Sequence, residues 1–278
     1  SRQIQDVEAL LSRGVDSLVI VPHNGAAMAT AVRLAHDAGV PVIAYDRLIT
    51  GTELDLYVAF DAVAIGEAQA RALVERLGPK RARVVRIHGA KTDNNSFLLK
   101  DGQDKVLSPL IKAGRLELVH EDWAENWKPE NAKKIMNAAL TRLGPTVDAV
   151  LAANDGTAGG AIQALSEEGL AGKIPVVGQD AELTACQRIA AGVQAATIYK
   201  PLKLEAAAAA DAAVRLAKRR PVVARDEVDN GAGKVPAILL SVTAVDDKNL
   251  LDTVVKDGYH PYDEVYRGVP ESRRPRRP

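Results

Sequence analysis

Short runs of apolar, mostly β-branched residues alternate along this chain with longer stretches in which apolar residues recur every three or four positions. The apolar runs at 18–21, 40–45 and 57–60 predict buried strands. Further strands are predicted at 83–87, 116–120, 149–152, 176–177 and 195–199, and helices at 26–38, 62–77, 96–113, 157–169, 202–218 and from Pro129 onward. Strands that alternate with helices of this length predict an α/β fold, in which parallel sheets carry helices on both faces.

One layout occurs twice along the chain. Residues 18–46 and 150–180 each run from an apolar strand through Asn, Gly and an alanine-rich helix to a second strand that is followed by Asp. The recurrence predicts two Rossmann-like lobes built on the same βαβ unit. Because ligands of open parallel sheets sit at the carboxyl ends of the strands, we expect polar residues there to line one cleft. These residues are His23, Asn24, Asp46 and Arg47 in the first copy and Asn154, Asp155, Gln179 and Asp180 in the second.

A structural role is the alternative for each of these polar residues, since Asn and Asp also form turns and cap helices. For Asp46, Arg47 and Asp180, which follow strands in the repeated unit, we favour contact with a ligand.

Composition limits the classes of protein that remain. The 278 residues suffice for one large domain or two ordinary ones, and 47% hydrophobic with 26% charged residues is ordinary for a globular chain. The single cysteine, Cys186, excludes an internal disulfide. The formal net charge is 0, but residues 267–278 hold five arginines and one glutamate, so the rest of the chain carries −4. We therefore expect no nucleic-acid partner and a disordered basic tail at 266–278.

Sequence signals of catalysis are missing. The five histidines are scattered without metal-ligand spacing, and no G-x-S-x-G elbow occurs. The GTAGG segment at 156–160 matches neither phosphate-binding glycine pattern, and its small residues favour close helix packing. We expect no catalytic residue, no metal and no cofactor, and therefore a binding protein rather than an enzyme.

The polar residues at the strand ends suit a neutral sugar. Carboxylates and amides hydrogen-bond vicinal hydroxyls, and Arg or Lys adds charge-assisted hydrogen bonds. An aromatic face would cover the apolar side of the ring. With 4% aromatic residues, Trp123 and Trp127 stand out, and Trp127, next to a helix start, is the better stacking platform.

Long collinear segments carry a family resemblance. From its first residues to about His260, the chain resembles the periplasmic D-xylose-binding proteins of sugar ABC transporters, which are type I periplasmic binding proteins. The segments are RGVDSLVIVPHNG, VIAYDRLI, YVAFDAVAIGEAQARALV, TDNN, DWAENWKPENA, AANDGTAGGAIQALSEEGLAGKIPVVGQDAEL, QRIAAGVQAATIYKP and VVKDGYH.

The resemblance implies a set of sugar contacts. Asp46 and Arg47 would bind hydroxyls from the N-terminal lobe, and Asn95, Asn154 and Asp180 from the C-terminal lobe. Lys200 would lie on the hinge side and Trp127 would stack on the pyranose, with Gln179 and Asp155 as further neighbours.

The resemblance also implies an architecture and a mechanism. The N-terminal lobe would comprise 1–61 and 200–241, and the C-terminal lobe 62–199 and 242–265, joined by three hinge crossings. A monosaccharide, with D-xylose favoured, would be captured between the lobes by hinge closure. The partners would be an ABC permease and a chemoreceptor, and the protein would be a periplasmic monomer without a cofactor.

The chain departs from the family at its start, where the first strand and helix of the family and a signal peptide have no counterpart. We therefore expect an incomplete N-terminal lobe and, because charge-assisted contacts are lost, weak or absent binding of xylose by this chain alone. Two alternatives remain open at this point: the effector-binding domain of a LacI-type transcription regulator, and the sugar-sensing domain of a membrane receptor.

Overall fold

The computed structural model describes residues 1–277. Along the chain its helices and strands are α1 (Arg2–Ser12), β1 (Leu18–Ile20), α2 (Ala29–Asp37), β2 (Val42–Tyr45), β3 (Leu56–Phe60), α3 (Ala62–Leu77), β4 (Ala82–His88), α4 (Asn94–Lys112), β5 (Leu116–Trp123), α5 (Pro129–Leu143), β6 (Ala149–Ala152), α6 (Asp155–Glu167), β7 (Val176–Val177), α7 (Leu183–Ala190), β8 (Thr197–Tyr199), α8 (Leu202–Ala217), β9 (Asp226–Asp229), β10 (Lys234–Leu240), β11 (Thr243–Val245) and α9 (Tyr262–Val265). The predicted α/β class with mainly parallel sheets is confirmed.

Contacts divide the chain into two units. Unit 1 comprises Ser1–Asp61, Thr92–Asn95 and Pro201–Ser241, and unit 2 comprises Ala62–Lys91, Ser96–Lys200 and the chain from Val242 onward. Residues 92–95 are expected in the second lobe from the sequence, whereas the structure groups them with unit 1. The reason is hydrogen bonding, since Asn95 and Asp93 bind residues that follow β2.

The sheet of unit 1 has the strand order β1-β2-β3-β10-β9. Its first four strands are parallel and β9 is antiparallel to β10. Val42, Ile43 and Ala44 of β2 are all buried, as expected of a strand with a core on both faces. The helix α2 packs Val32 and Ala35 into one of these cores, and α8 packs Ala209 and Ala212 into the other.

The sheet of unit 2 has the order β5-β4-β6-β7, and all its strands are parallel. A bridge between Val177 and Ala196 continues it toward β8, which pairs antiparallel with β11. The helix α5 starts with Pro129 at its first turn, as predicted, and Gly144 with φ of 62° follows its end. A third core, around Cys186 and Val265, lies among α7, α9 and the residues after β11.

The differences from the predicted elements have local causes. The helix α4 begins at Asn94 rather than 96, and the Asp93 carboxylate accepts the Asn95 N–H in its first turn. The strand β5 continues to Trp123 because its pairing with β4 runs on to His88. The elements α7, β9, β10, β11 and α9 were not predicted; all of them except β10 are brief or carry charged residues on their exposed faces.

The basic tail contacts α9 in the described residues, and its expected disorder stays a prediction. Tyr262 donates a hydrogen bond to the Pro275 carbonyl (2.7 Å), and Arg274 donates one to that of Val269 (2.7 Å). Arg277 pairs with Asp263 and lies over the Tyr262 ring. Hydrogen bonds and an ion pair thus connect α9 to a segment whose composition favours exposure to solvent. The last residue of the tail, Pro278, lies outside the described residues.

No helix in the described part of the chain combines the length and the apolar character needed to cross a membrane.

An apolar edge strand borders the sheet of unit 1. Within residues 1–277, β1 pairs with β2 on one side only. Val19 of β1 and Val21, which follows the strand, are 45% and 47% exposed as whole residues. An unpaired apolar edge is a template for pairing with another chain.

We expect Val19→Lys to oppose any pairing of chains through β1 at high protein concentration, because a charge on an edge strand disfavours strand pairing. Sedimentation velocity over a protein concentration series measures the effect. Val223→Lys is the matched control, since Val223 is 76% exposed and lies outside the strands. Equal reduction in both variants would show that net charge, and not the β1 edge, governs association.

Candidate ligand-binding site

The first cluster of polar residues follows β2 in unit 1. Asp46 adopts φ of 58°, and the Arg47 N–H donates to the Tyr45 carbonyl (2.6 Å), so the backbone makes a tight three-residue turn centred on Asp46. The Asp46 N–H donates to Val58 of β3 (2.9 Å). This left-handed turn ends the strand and fixes where Asp46 and Arg47 stand at the carboxyl end of the sheet.

Three neighbours hold this turn. The Tyr57 hydroxyl and the Asn95 side-chain amide both donate to the Asp46 carbonyl, at 2.9 Å and 2.8 Å. Arg47 Nε lies 2.9 Å from Asp93 Oδ2, and the Asp93 side chain is only 2% exposed. Burial, with the carboxylates of Asp46 and Asp93 nearby, raises the pKa of Tyr57 well above its ordinary value, so the phenol stays a hydrogen-bond donor.

The second cluster lies in unit 2, around Asp155, the first residue of α6. Its fully buried carboxylate accepts from the Thr197 hydroxyl (2.7 Å), the Gln194 amide (2.8 Å) and the Glu182 N–H (3.1 Å). Burial, reinforced by the Asp180 carboxylate, raises the pKa of Asp155 to about 8. Asp155 therefore connects the start of α6 to β8 and to the turn after β7 by hydrogen bonds. Its role is to stabilise the structure from within the core.

Asp180 stands in that turn. It has φ of 100°, Ala181 follows with φ of 51°, and Asp180 Oδ1 lies 2.7 Å from Lys200 Nζ. Thr197 accepts the Ala181 N–H (3.1 Å), so the Asp155 network holds the turn that presents Asp180. Asp180 and Lys200 are 29% and 14% exposed in their side chains, respectively.

Asn154 fills the structural role that the sequence analysis left open. Its side-chain oxygen accepts the Thr157 N–H (2.9 Å), and the Asn154 N–H donates to the Thr157 hydroxyl oxygen (3.0 Å), which makes a capping box for α6. Asn24 likewise accepts the Ala27 N–H (3.0 Å). A ligand contact by Asn154 stays a prediction.

The two tryptophans have different surroundings. Trp123 stacks on His88, with ring centroids 4.4 Å apart, and contacts Phe97. Trp127 has φ of 59° and packs its ring against Gly89, where an added Cβ would come within 2.3 Å of the indole. Only glycine at 89 allows this close approach, which places the indole beside the carboxyl end of β4.

The predicted residues therefore fall into two groups. Unit 1 brings together Asp46, Arg47 and Asn95, and unit 2 brings together Asp180 and Lys200, with Asn154, Asp155 and Gln179 beside them. Sequence reasoning missed Tyr57, Asp93, Gln194 and Thr197. Asp93 could have been found in the TDNN segment, whereas nothing in the sequence separates Tyr57 or Thr197 from core residues.

The fold and the clusters agree with a match to known proteins. The family model described as "Periplasmic binding protein domain" matches residues 1–221. The chain belongs to this family, with the type I fold.

Particular relatives refine the class. The D-xylose-binding periplasmic protein of Escherichia coli K12 is 44% identical over 263 residues, which cover 95% of this chain and 79% of that protein. The D-xylose-binding periplasmic protein of Haemophilus influenzae is 45% identical over 266 residues, 96% of this chain and 80% of that protein. The crystal structure of a carbohydrate transporter solute-binding protein from Chloroflexus aurantiacus, in complex with D-glucose, has a TM-score of 0.90 and 32% identity and covers 94% of this chain and 85% of that chain. The resemblance predicted from the sequence is confirmed.

The buried Asp155 carboxyl predicts a pH-dependent stability. Its ordinary pKa is 3.8 and its pKa in the folded protein is about 8, so between these values the folded chain holds a proton that the unfolded chain releases. The free energy of unfolding therefore falls as pH rises, by up to about 1.4 kcal/mol per pH unit from this one group. In Asp155→Asn this contribution to the slope disappears. Denaturant unfolding between pH 5 and about pH 8.5 measures it.

Asp101→Asn is the matched control, because it removes an exposed carboxylate from α4 in the same unit. A slope that Asp155→Asn leaves unchanged would show that Asp155 is ionised in the folded protein at neutral pH.

Proposed function

We propose that this chain is the sugar-binding component of an ABC importer and that D-xylose is its preferred ligand. The observation that carries the proposal is the pair of clusters at strand ends, Asp46 with Arg47 and Asp180 with Lys200, in a chain of this family. The names of the relatives from Escherichia coli and Haemophilus influenzae support xylose over other sugars.

The charges of the clusters favour a neutral polyhydroxy ligand. In unit 1 the carboxylates of Asp46 and Asp93 stand beside one guanidinium, and in unit 2 Asp180 stands beside one ammonium. An anionic ligand would meet carboxylates on either cluster without a surplus of cations. Sugar hydroxyls, in contrast, donate to carboxylates and accept from Arg and Lys at once.

Further parts of the proposal concern the location, the partners and the mechanism of a sugar-binding protein. The chain would act in the periplasm as a monomer, release the sugar unchanged, and serve an ABC permease and a chemoreceptor as partners. Capture by hinge closure and the sugar contacts of Asn95, Asn154 and Trp127 are further parts of it. A regulatory effector domain is the weaker candidate, because the relatives at 44% and 45% identity are periplasmic proteins by name.

Calorimetric titration with D-xylose, D-glucose, D-ribose and L-arabinose tests the function, over protein concentrations that detect both micromolar and millimolar dissociation constants. We expect xylose to bind most tightly. Asp46→Asn and Asp180→Asn should each weaken xylose binding about ten-fold to one-hundred-fold, because each removes an acceptor of charge-assisted hydrogen bonds.

Asp226→Asn in unit 1 and Asp101→Asn in unit 2 are the matched controls, since both remove exposed carboxylates outside the clusters. If the folded parent chain binds none of the four sugars, or if the controls weaken binding as much as the cluster variants do, the proposal is wrong.

The two tryptophans allow an optical test of the stacking contact. In Trp123→Phe the remaining tryptophan is Trp127, and in Trp127→Phe it is Trp123. We expect xylose to change the fluorescence of Trp123→Phe, because stacking of a sugar alters the surroundings of the indole, and to leave that of Trp127→Phe unchanged. The opposite pattern would assign the aromatic contact to Trp123.

A further inference from the structure

Tyr57 is a buried residue of β3 whose hydroxyl donates a hydrogen bond to the backbone. Its side chain belongs to the core of unit 1, and the whole residue is only 2% exposed. A phenylalanine would fill the same apolar space. The hydroxyl is therefore the part of this residue that the core does not require, and it donates to the Asp46 carbonyl at 2.9 Å.

The acceptor of this hydrogen bond sits in an unfavourable backbone conformation. Asp46 is a non-glycine residue with φ of 58°, and the turn closes over three residues through the Arg47 N–H. Such conformations persist only where surrounding groups determine them more strongly than the local preference opposes them. The groups that do so here are the Val58 carbonyl on the Asp46 N–H, and the Tyr57 hydroxyl with the Asn95 amide on the Asp46 carbonyl.

The Tyr57 hydroxyl also lies close to the Asn95 side chain. Tyr57 Oη lies 3.4 Å from Asn95 Oδ1, so phenol, amide and carbonyl form one polar contact within unit 1. The Asn95 N–H in turn donates to Asp93 (3.0 Å), which pairs with Arg47. Removing the Tyr57 hydroxyl would take away one donor to the Asp46 carbonyl and would loosen the other donor, the Asn95 amide.

We propose that Tyr57 is a positioning residue for the sugar site: its hydroxyl fixes the left-handed turn that sets the directions of the Asp46 and Arg47 side chains. The inference rests on the proposed function, because its effect on affinity passes through Asp46 and Arg47. Tyr57 itself contacts no sugar.

The test is Tyr57→Phe, which removes one oxygen and keeps the ring. Two readouts are taken, hydrogen exchange of the 44–50 backbone in the ligand-free protein and D-xylose affinity by calorimetry. We expect faster exchange at Asp46 and Arg47 and a dissociation constant raised about ten-fold. A double-mutant cycle with Asp46→Asn should be strongly non-additive, since both changes act through the same side chain.

Tyr262→Phe is the matched control, because it also removes a phenol that donates to a carbonyl, that of Pro275, in unit 2. It should leave exchange at 44–50 and xylose affinity at parent values. Unchanged exchange at 44–50 in Tyr57→Phe overturns the inference whether or not the chain binds sugar. Faster exchange with an additive cycle also overturns it, since the turn would then not act through Asp46. A parent chain that binds no sugar would contradict the proposed function, and the exchange readout would still decide the role of Tyr57 in the turn.

Discussion

Two aspartates with left-handed backbone, Asp46 and Asp180, are the points on which both candidate clusters depend. Each follows a buried parallel strand, and each stands beside a cation, Arg47 or Lys200. L-residues resist this conformation, and among them Asp and Asn tolerate it best. A positive φ turns the chain sharply at the end of the strand, and the side chain then stands at the edge of the sheet where ligands of parallel α/β folds bind.

The two copies of the βαβ unit stabilise this left-handed turn by different hydrogen bonds. In unit 1 neutral donors, the Tyr57 hydroxyl and the Asn95 amide, bind the Asp46 carbonyl. In unit 2 the turn is held through its backbone N–H groups. The Asp155 carboxylate accepts the Glu182 N–H, and Thr197, which donates to Asp155, accepts the Ala181 N–H. The repeat therefore conserves a backbone shape between its copies and not a hydrogen-bonding partner.

The sequence predicted most of the fold because the relevant signals are local. Strands such as β2 and β6 are short apolar runs, and helices such as α3 and α8 show their spacing and alanine content. The repeat also placed Asp46, Arg47 and Asp180 at strand ends. The grouping of Asn95 with unit 1 could not be predicted, because it depends on a contact with Asp46, which is far away in the chain. Tyr57 and Thr197 were missed for a related reason, since burial gives them their roles and the sequence shows only their residue types.

The different chemistry of the two units makes them respond differently to protons. Tyr57 has a pKa raised well above its ordinary value, so it remains a hydrogen-bond donor at neutral pH. Asp155 has a pKa of about 8, so its charge changes just above neutral pH. Ionisation of Asp155 places a second negative charge near Asp180 while strengthening its hydrogen bonds with Thr197 and Gln194. A change of pH near neutrality therefore acts on the Asp155 network that holds the Asp180 turn, whereas the Tyr57 phenol continues to donate to the Asp46 carbonyl.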